Sequence, residues 1–396
     1  MKIFIIYKND YPWDVRVEKI AETAHELGHE VEIIANNFDK KDRIEIVKNL
    51  KIIRVPGLNF MPNFIGNYLK LPFWFNPLWK RILDRNIDEN SVIIVRDLPL
   101  LKLAVLVGRR KKCRVIYDMA EVYPEMYRSM AQLSRQSFIQ KILKSPSLAE
   151  KYERDNISKV DHVFTMIEES RNRLLENGLK RSKVSIVSNT PRIDTQSIIL
   201  REHKGNALNI VYVGFLTELR GLDLLIEGVA EYIELVRNEG RSPDINVHII
   251  GKGNAKENLN ALVTHRNLEN FVNIYGWLSK HEVDSILENA NIGALTYRIC
   301  GHWNHTIPNK IFDYMAAGLP VLATNVIPIK RIITETNCGL ISEPADPKTI
   351  AKSLLMLENA ELRSKLGKNG QNSISKKYNW SNEKEKIRRI LNGFNE

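Results

Sequence analysis

Cysteine is scarce. Cys113, Cys300 and Cys338 are too few and too scattered for a disulfide framework, and no CxxC pair suggests structural zinc. A reducing cytosol is therefore the expected home. No two aspartates stand two apart, so a DxD metal motif is missing, and no His/Cys cluster replaces it; no metal site is expected. Long hydrophobic runs are missing too. The N-terminus has apolar residues only from Ile3 to Tyr7, and the later stretch Leu98 to Val107 is broken by Lys102, far from the ~18 to 20 residues a membrane span needs. Any membrane contact should be peripheral. Gly251 and Gly253 follow an apolar run, but Lys256 stands where a dinucleotide fingerprint needs its third glycine, which argues against hydride transfer.

What is present is ordinary for a soluble chain: 43% hydrophobic and 27% charged residues over 396 positions, enough for two domains with real cores. The net charge of +11 is unevenly placed. Residues 51 to 150 hold 17 Lys+Arg against 8 Asp+Glu, so one stretch carries nearly all of the excess. Nucleic acid would suit such a charge, but no DNA- or RNA-binding module is recognisable, and no nucleic-acid partner is expected.

Short apolar runs alternate with helical patterns, the signature of parallel sheets with crossover helices. The first unit is typical: strand Lys2 to Tyr7, then Val17, Ile20, Ala21, Ala24 and Leu27 at helical spacing, Gly28 as the stop, and strand Val31 to Ala35. Strands are expected again at Lys51 to Val55, Val92 to Val95, Val115 to Asp118, His162 to Met166 and Val184 to Ser188. That makes a first sheet of about seven. The stretch Asn189 to Lys204 is polar and without period, and reads as a linker. A second alternation runs through Leu208 to Val213, Ile245 to Ile250, Val272 to Tyr275, Ile292 to Tyr297, Val321 to Thr324 and Leu340 to Ser342. Between two of these, Val283, Ile286, Leu287 and Ala290 have the stripe of a one-sided helix. The expected α/β organisation is thus a first doubly wound domain over 1–196, a second over 197–378, and a terminal segment 379–396 with a helix from Ser381 to Phe394. Two such sheets suggest a ligand at strand carboxyl ends, in a central cleft.

The strongest local pattern is HTIPNKIFDYMAAGLPVLAT, His305 to Thr324. Pro308 opens a helix, whose free N–H groups with Lys310 would attract an anion. Asp313, one turn in on the face of Asn309 and Lys310, could accept hydrogen bonds from two vicinal hydroxyls. In VYVGFLTELRGLDLLIEGV a strand ends at Gly214, and Arg220 stands before a helix, placed to clamp a phosphate. Each has a plainer alternative, a capped helix with a solvated aspartate and a surface arginine. The nine histidines are scattered, and only His305 attracts attention as a possible site residue.

Together these strings, with NIYGWLSKHEVDSILENANIGAL, resemble in order and spacing the C-terminal donor domain of the family-four retaining glycosyltransferases of the two-domain GT-B fold. The likeness extends through the first half, over YKNDYPWDVRVEKIAETAHELGHEV, Arg96 to Pro99, Tyr117 to Glu125 and Lys183 to Arg192. It implies two Rossmann-like domains, a terminal helix (379–396) that crosses back to the first domain, and transfer of a sugar, with retention of configuration and without a metal, from a nucleotide diphosphate sugar to an acceptor held by the first domain. By resemblance Arg220 contacts the diphosphate and Asp313 takes the place of the ribose-binding Glu. Gly251, Trp277 and Leu278 surround the nucleobase, and Pro308, Asn309 and Lys310 face sugar and phosphate. The pattern departs at His305, where a Glu usually contacts the donor sugar, at Phe215, often Arg, and at Ala120, often His. The glycine-rich loop after strand one is replaced by Asn9 to Trp13.

Between Phe60 and Trp79 stand seven aromatics, with Lys70, Lys80, Arg81 and Arg85 among and after them, and RRKKCR follows at Arg109 to Arg114. Such interleaving suits an anionic membrane surface or a lipid-linked acceptor; the alternative is core beneath a long loop. The leading expectation is a cytoplasmic glycosyltransferase, peripheral to the inner face of the membrane, acting on a lipid-linked or polysaccharide acceptor. A nucleotide-sugar epimerase of the same fold stands second.

Overall fold

A computed structural model describes residues 1–12, 14–56, 76–133, 137–193 and 203–394. They form two compact units, Met1–Asn189 with Ser381–Glu396, and Thr190–Trp380.

The first unit is built on β1 (Lys2–Asp10), β2 (Glu30–Asn37), β3 (Ile44–Val47), β4 (Leu50–Pro56), β5 (Val92–Arg96), β6 (Arg114–Met119), β7 (His162–Thr165) and β8 (Val184–Ile186). Their spatial order is β3-β4-β2-β1-β5-β6-β7-β8. Ile3, Phe4, Ile5 and Ile6 are all buried, as a strand covered by helices on both faces requires. Register follows: Ile3 lies opposite Val31 on one side and Val92 on the other, both parallel.

The edge strand β3 pairs antiparallel with β4 and was not expected. Its link is a two-residue turn in which Lys48 and Asn49 both take positive φ, 51° and 65°, a hairpin geometry usually announced by Asn-Gly. The strand also turns Ile44 and Ile46 outward, so its alternation runs opposite to the usual pattern.

The aromatic stretch is only partly described, since 57–75 lie outside the described residues. Trp79 is described, and it is core. Asn76 caps its helix (Pro77–Asn86) by accepting from the Trp79 N–H at 3.1 Å, which turns Trp79, Ile82 and Leu83 inward. Lys80 is held by Asp84 at 2.7 Å on the outer side.

At the carboxyl ends of these strands sits a buried polar knot. Helix α1 (Val15–Glu26) is capped by Asp14, which accepts from the Arg16 and Val17 N–H groups at 2.9 and 3.2 Å. Arg16 then turns inward. Its Nε lies 2.9 and 3.0 Å from the two Asp118 oxygens and its Nη1 donates to the Val187 carbonyl at 2.7 Å, with both charged side chains 1% exposed. Arg96 binds Asp14 at 3.0 Å and Asp97 at 2.7 Å. Helix start and three strand ends are thereby tied together.

The second unit carries β9 (Leu208–Val213), β10 (Ile245–Ile250), β11 (Val272–Ile274), β12 (Ile292–Leu295), β13 (Val321–Thr324) and β14 (Gly339–Ser342), in the order β11-β10-β9-β12-β13-β14. Every pairing is parallel. The striped helix, Lys280–Asn289, only half-buries Val283, Ile286 and Leu287. After this unit the chain returns to the first. The terminal helix (Trp380–Asn392) buries Ile387 and Leu391, and Glu383, 3% exposed, accepts from the Ser188 N–H at 3.0 Å.

Removing one partner of the Arg16–Asp118 pair strands the other charge in the core. Arg16→Met should cost about 3 to 5 kcal/mol, and Arg16→Lys, which cannot reproduce the fork, should rescue little. Urea titration of the full chain checks this; a loss below about 1 kcal/mol would assign the knot no structural role.

Candidate functional site

The order of the second sheet reverses between β9 and β12, where the crossovers diverge and leave a crevice outside the strand ends. Glycines bring backbone to this point. Gly214 ends β9, with its N–H donating to the Ile250 carbonyl at 2.9 Å. Gly251 follows β10 with φ of 148°, and a Cβ there would fall 1.8 Å from the Gly214 carbonyl oxygen. The Leu216 N–H donates to the Lys252 carbonyl, locking the two loops together.

The chain then makes one turn of 3₁₀ helix, Glu218–Arg220, and passes through Gly221 into helix α2 (Leu222–Asn238). Gly221 is required. Its φ is 60°, and a Cβ would meet the Thr296 carbonyl oxygen at 2.1 Å, just past the end of β12. Loops after β9 and β12 are thus pressed together, and Arg220 is delivered into the space between them. Its guanidinium carbon lies 4.8 Å from the Tyr297 ring centroid and 4.5 Å from that of Trp303, and Nη1 donates to the Tyr297 hydroxyl. Trp303 is itself fixed, buried and donating Nε1–H to the Leu219 carbonyl at 2.9 Å.

Helix α3 (Lys310–Ala316) begins at Asn309, after the buried Pro308. Lys310 and Asp313 meet each other at 2.8 Å, both well exposed. Inward from them, Tyr314 accepts from the Val213 N–H at 3.2 Å, and its hydroxyl feels both Arg220 and Asp313 while burial pushes its pKa up. The Arg220 loop and α3 therefore meet on Tyr314. Trp277 is 64% exposed beyond β11, with the Lys252 ammonium 5.0 Å over its ring, and Leu278 beside it is half-buried. The Gly251 N–H donates to the Gly276 carbonyl at 3.2 Å, joining this corner to Gly214.

His305 is drawn aside: its Nδ1 lies 2.9 Å from the Gly301 carbonyl. The histidine beside Arg220 is His302, buried against Trp303 with ring centroids 4.3 Å apart. Burial, and then the Arg220 charge, bring its pKa down to about 3, so it stays neutral. Tyr297, His302 and Trp303 were not anticipated. The one signal was aromatic and imidazole groups packed into a polar loop beside the helix motif.

The first sheet has its own reversal, between β1 and β5, and Asp97 stands there. Its φ of 67° and ψ of 166° fall where glycine is nearly alone, and its N–H donates to the Asp118 carbonyl at 3.0 Å. Burial pushes the Asp97 carboxyl up to about 6; Arg96 opposes this, and Asp14 and Asp118 add to it.

These two doubly wound units are those of GT-B glycosyltransferases. A model of Glycosyl transferases group 1 matches residues 199–373 and one of Glycosyltransferase Family 4 matches 14–192. The chain belongs to the family-four glycosyltransferases. An uncharacterized glycosyltransferase of Methanocaldococcus jannaschii, MJ1069, is 20% identical over 92% of this chain and 90% of its own length. The amylovoran biosynthesis glycosyltransferase AmsK of Erwinia amylovora is 24% identical over 48% of this chain and 46% of its own. A variant of S. aureus TarM, solved with Fondaparinux, alpha-GlcNAc-glycerol and UDP, superposes with a TM-score of 0.71 at 14% identity, covering 100% of both chains.

A raised folded-state pKa means that the native protein binds more protons than the unfolded chain between pH ~4 and about 6. The Asp97 contribution is full below that window and is lost as pH rises through it. Asp97→Asn should therefore gain on wild type by about 1 to 3 kcal/mol from pH 4 to 7, read from urea titrations at each pH. A constant difference would place the carboxyl at its ordinary value.

Proposed function

We propose that the protein transfers a sugar, with retention of configuration, from a nucleotide diphosphate sugar held by the second unit to a lipid-linked or polysaccharide acceptor held by the first. The observation that carries the donor half is the meeting of Arg220 and α3 at the sheet reversal. Arg220 supplies a planar fork for the diphosphate, Lys310 a second positive charge, and Asp313 a carboxylate for ribose hydroxyls. Gly214 and Gly251 let backbone approach the nucleotide, Trp277 and Leu278 lie toward the base, and Pro308 and Asn309 set the start of α3. Two protein cations at the phosphates support turnover without a metal ion. In the retaining chemistry of this family, the leaving diphosphate helps deprotonate the acceptor hydroxyl on the same face of the sugar. The protein's share is alignment and charge stabilisation. AmsK, by its name a glycosyltransferase of amylovoran biosynthesis, supports the acceptor class.

Wild type should turn over one of the uridine, guanosine or adenosine diphosphate sugars, keep doing so in EDTA, and give a product of unchanged anomeric configuration by NMR. Arg220→Ala should weaken nucleoside diphosphate binding by about 1.5 to 3 kcal/mol, the scale of a charge-assisted hydrogen bond, and Asp313→Ala should weaken it as well. Binding unaffected by either substitution would move the donor elsewhere; loss in EDTA restored by magnesium or manganese would overturn metal independence.

We further propose that the first unit attaches peripherally to an anionic membrane. Among the described residues no helix is long and apolar enough to cross one. Arg109, Arg110, Lys112 and Arg114 are exposed at the end of one helix and the start of β6, although Arg110 is paired with Asp84 and Arg114 with Asp161. Near an anionic leaflet each free cation contributes about 1 kcal/mol. Co-sedimentation should require anionic vesicles and decline with salt; equal sedimentation with neutral vesicles, or none, would remove the membrane from the function.

A further inference from the structure

The donor reading puts Lys310 and Asp313 on α3 and Arg220 on the loop after β9, so helix and loop must keep a fixed relation if one nucleotide is to touch all three. The residue after Asp313 stands at that junction. Strands β9 and β12 pair only at Ile210 with Ile292 and Val211 with Gly293, and past Val211 they part. Beyond that point the Gly214 N–H turns toward β10, donating to the Ile250 carbonyl at 2.9 Å, while the Val213 N–H turns to the side that β12 has left. A buried N–H there needs an acceptor. The Tyr314 hydroxyl supplies it at 3.2 Å, standing where a strand carbonyl would. Its ring lies on β12, since a Cβ on Gly293 would fall 2.4 Å from it. One side chain of α3, only 1% exposed, thus takes the place of a ladder rung between two diverging strands.

We infer that Tyr314 is a positioning residue that fixes α3 against the end of β9, and that the discrimination of ribose from deoxyribose by Asp313 depends on it. This rests on the donor reading above. The two sides of the junction are held differently. The β9 loop has ties of its own, since the Leu216 N–H donates to the Lys252 carbonyl and the Ala255 N–H to the Leu216 carbonyl, both at 3.0 Å. Helix α3 is held at its far end by the helix Ala360–Lys376: a Cβ on Gly370 would fall 3.2 Å from the Met315 Cα, and Gln371 Nε2 donates to the Ala316 carbonyl at 3.4 Å. Loss of the Tyr314 hydroxyl therefore loosens the turn that carries Asp313 and leaves the Arg220 loop in place. A carboxylate reaches a ribose hydroxyl only at about 2.5 to 3.0 Å between oxygens, so a small shift of α3 costs the ribose contacts first.

Calorimetric titration of the full chain with UDP, GDP and ADP, with their 2′-deoxy forms and with the matching monophosphates, tests this. Wild type should bind one diphosphate about 10-fold or more tighter than its 2′-deoxy form, the scale of a hydrogen bond to a charged group, and Asp313→Ala should erase that preference. Tyr314→Phe removes one oxygen and should reduce the ribose preference by about 3- to 10-fold, while the preference for diphosphate over monophosphate stays. A residue that only held the fold would weaken both alike. Should Tyr314→Phe lose its fold by circular dichroism, amide hydrogen exchange decides: the diphosphate should slow exchange of the Val213 N–H in wild type, and Asp313→Ala should remove that slowing, because coupling between a ligand and a contact is reciprocal. Full ribose preference in Tyr314→Phe, an equal fall in both preferences, or Val213 exchange unmoved by the ligand would overturn the role of Tyr314 and leave the donor site standing. No nucleotide binding by wild type, or a ribose preference that is missing there or untouched by Asp313→Ala, would overturn the Asp313 assignment and this inference together.

Discussion

A parallel strand covered by helices on both faces has only its carboxyl end left for a ligand, and both units are built under that constraint. In the second unit β9 and β12 are mostly apolar, and past their ends stand Gly214, Arg220, Gly221, Tyr297 and, one helix further, Lys310 and Asp313. The first unit repeats the scheme with Asp14, Arg96, Asp97 and Asp118. Its cluster is mostly consumed by its own ion pairs, while in the second Arg220 lies against the Tyr297 and Trp303 rings. The same topology thus supports a structural knot in one half and the proposed donor site in the other.

How charge is held separates the two. Arg16 is fully withdrawn from water and matched by both Asp118 oxygens and a carbonyl, so its worth lies in what its removal would leave behind. Arg220 is only half-buried and lies against two aromatic rings.

Strands whose apolar runs are unbroken were legible in the sequence, because a two-faced buried strand leaves little choice of residue; β1 and β5 are of this kind. The motif glycines were legible for a related reason, since only glycine tolerates the approach of the Thr296 carbonyl to Gly221. What escaped was set by tertiary contact. Strand β3 faces its isoleucines to solvent and turns through Lys48 and Asn49, neither a strong hairpin signal. Trp303 reads as one aromatic in a polar loop until the β9 loop is brought against it. His305 drew attention by its place in a motif, yet it bonds back to its own loop and His302 is the one beside the arginine. Asp97 offered no local sign that it would sit in a glycine-like conformation.

The first unit is discontinuous, made of Met1–Asn189 and the segment Ser381–Glu396. A ribosome adding about 5 to 20 residues per second therefore completes the β1–β8 sheet well before the residues that finish its surface exist. Until then the Ser188 N–H lacks Glu383, and the surface that receives Ile387 and Leu391 is bare. Birth order thus makes the second unit a complete insertion, able to fold while the first waits, and a helix made only after the whole second unit seals the half that was started first.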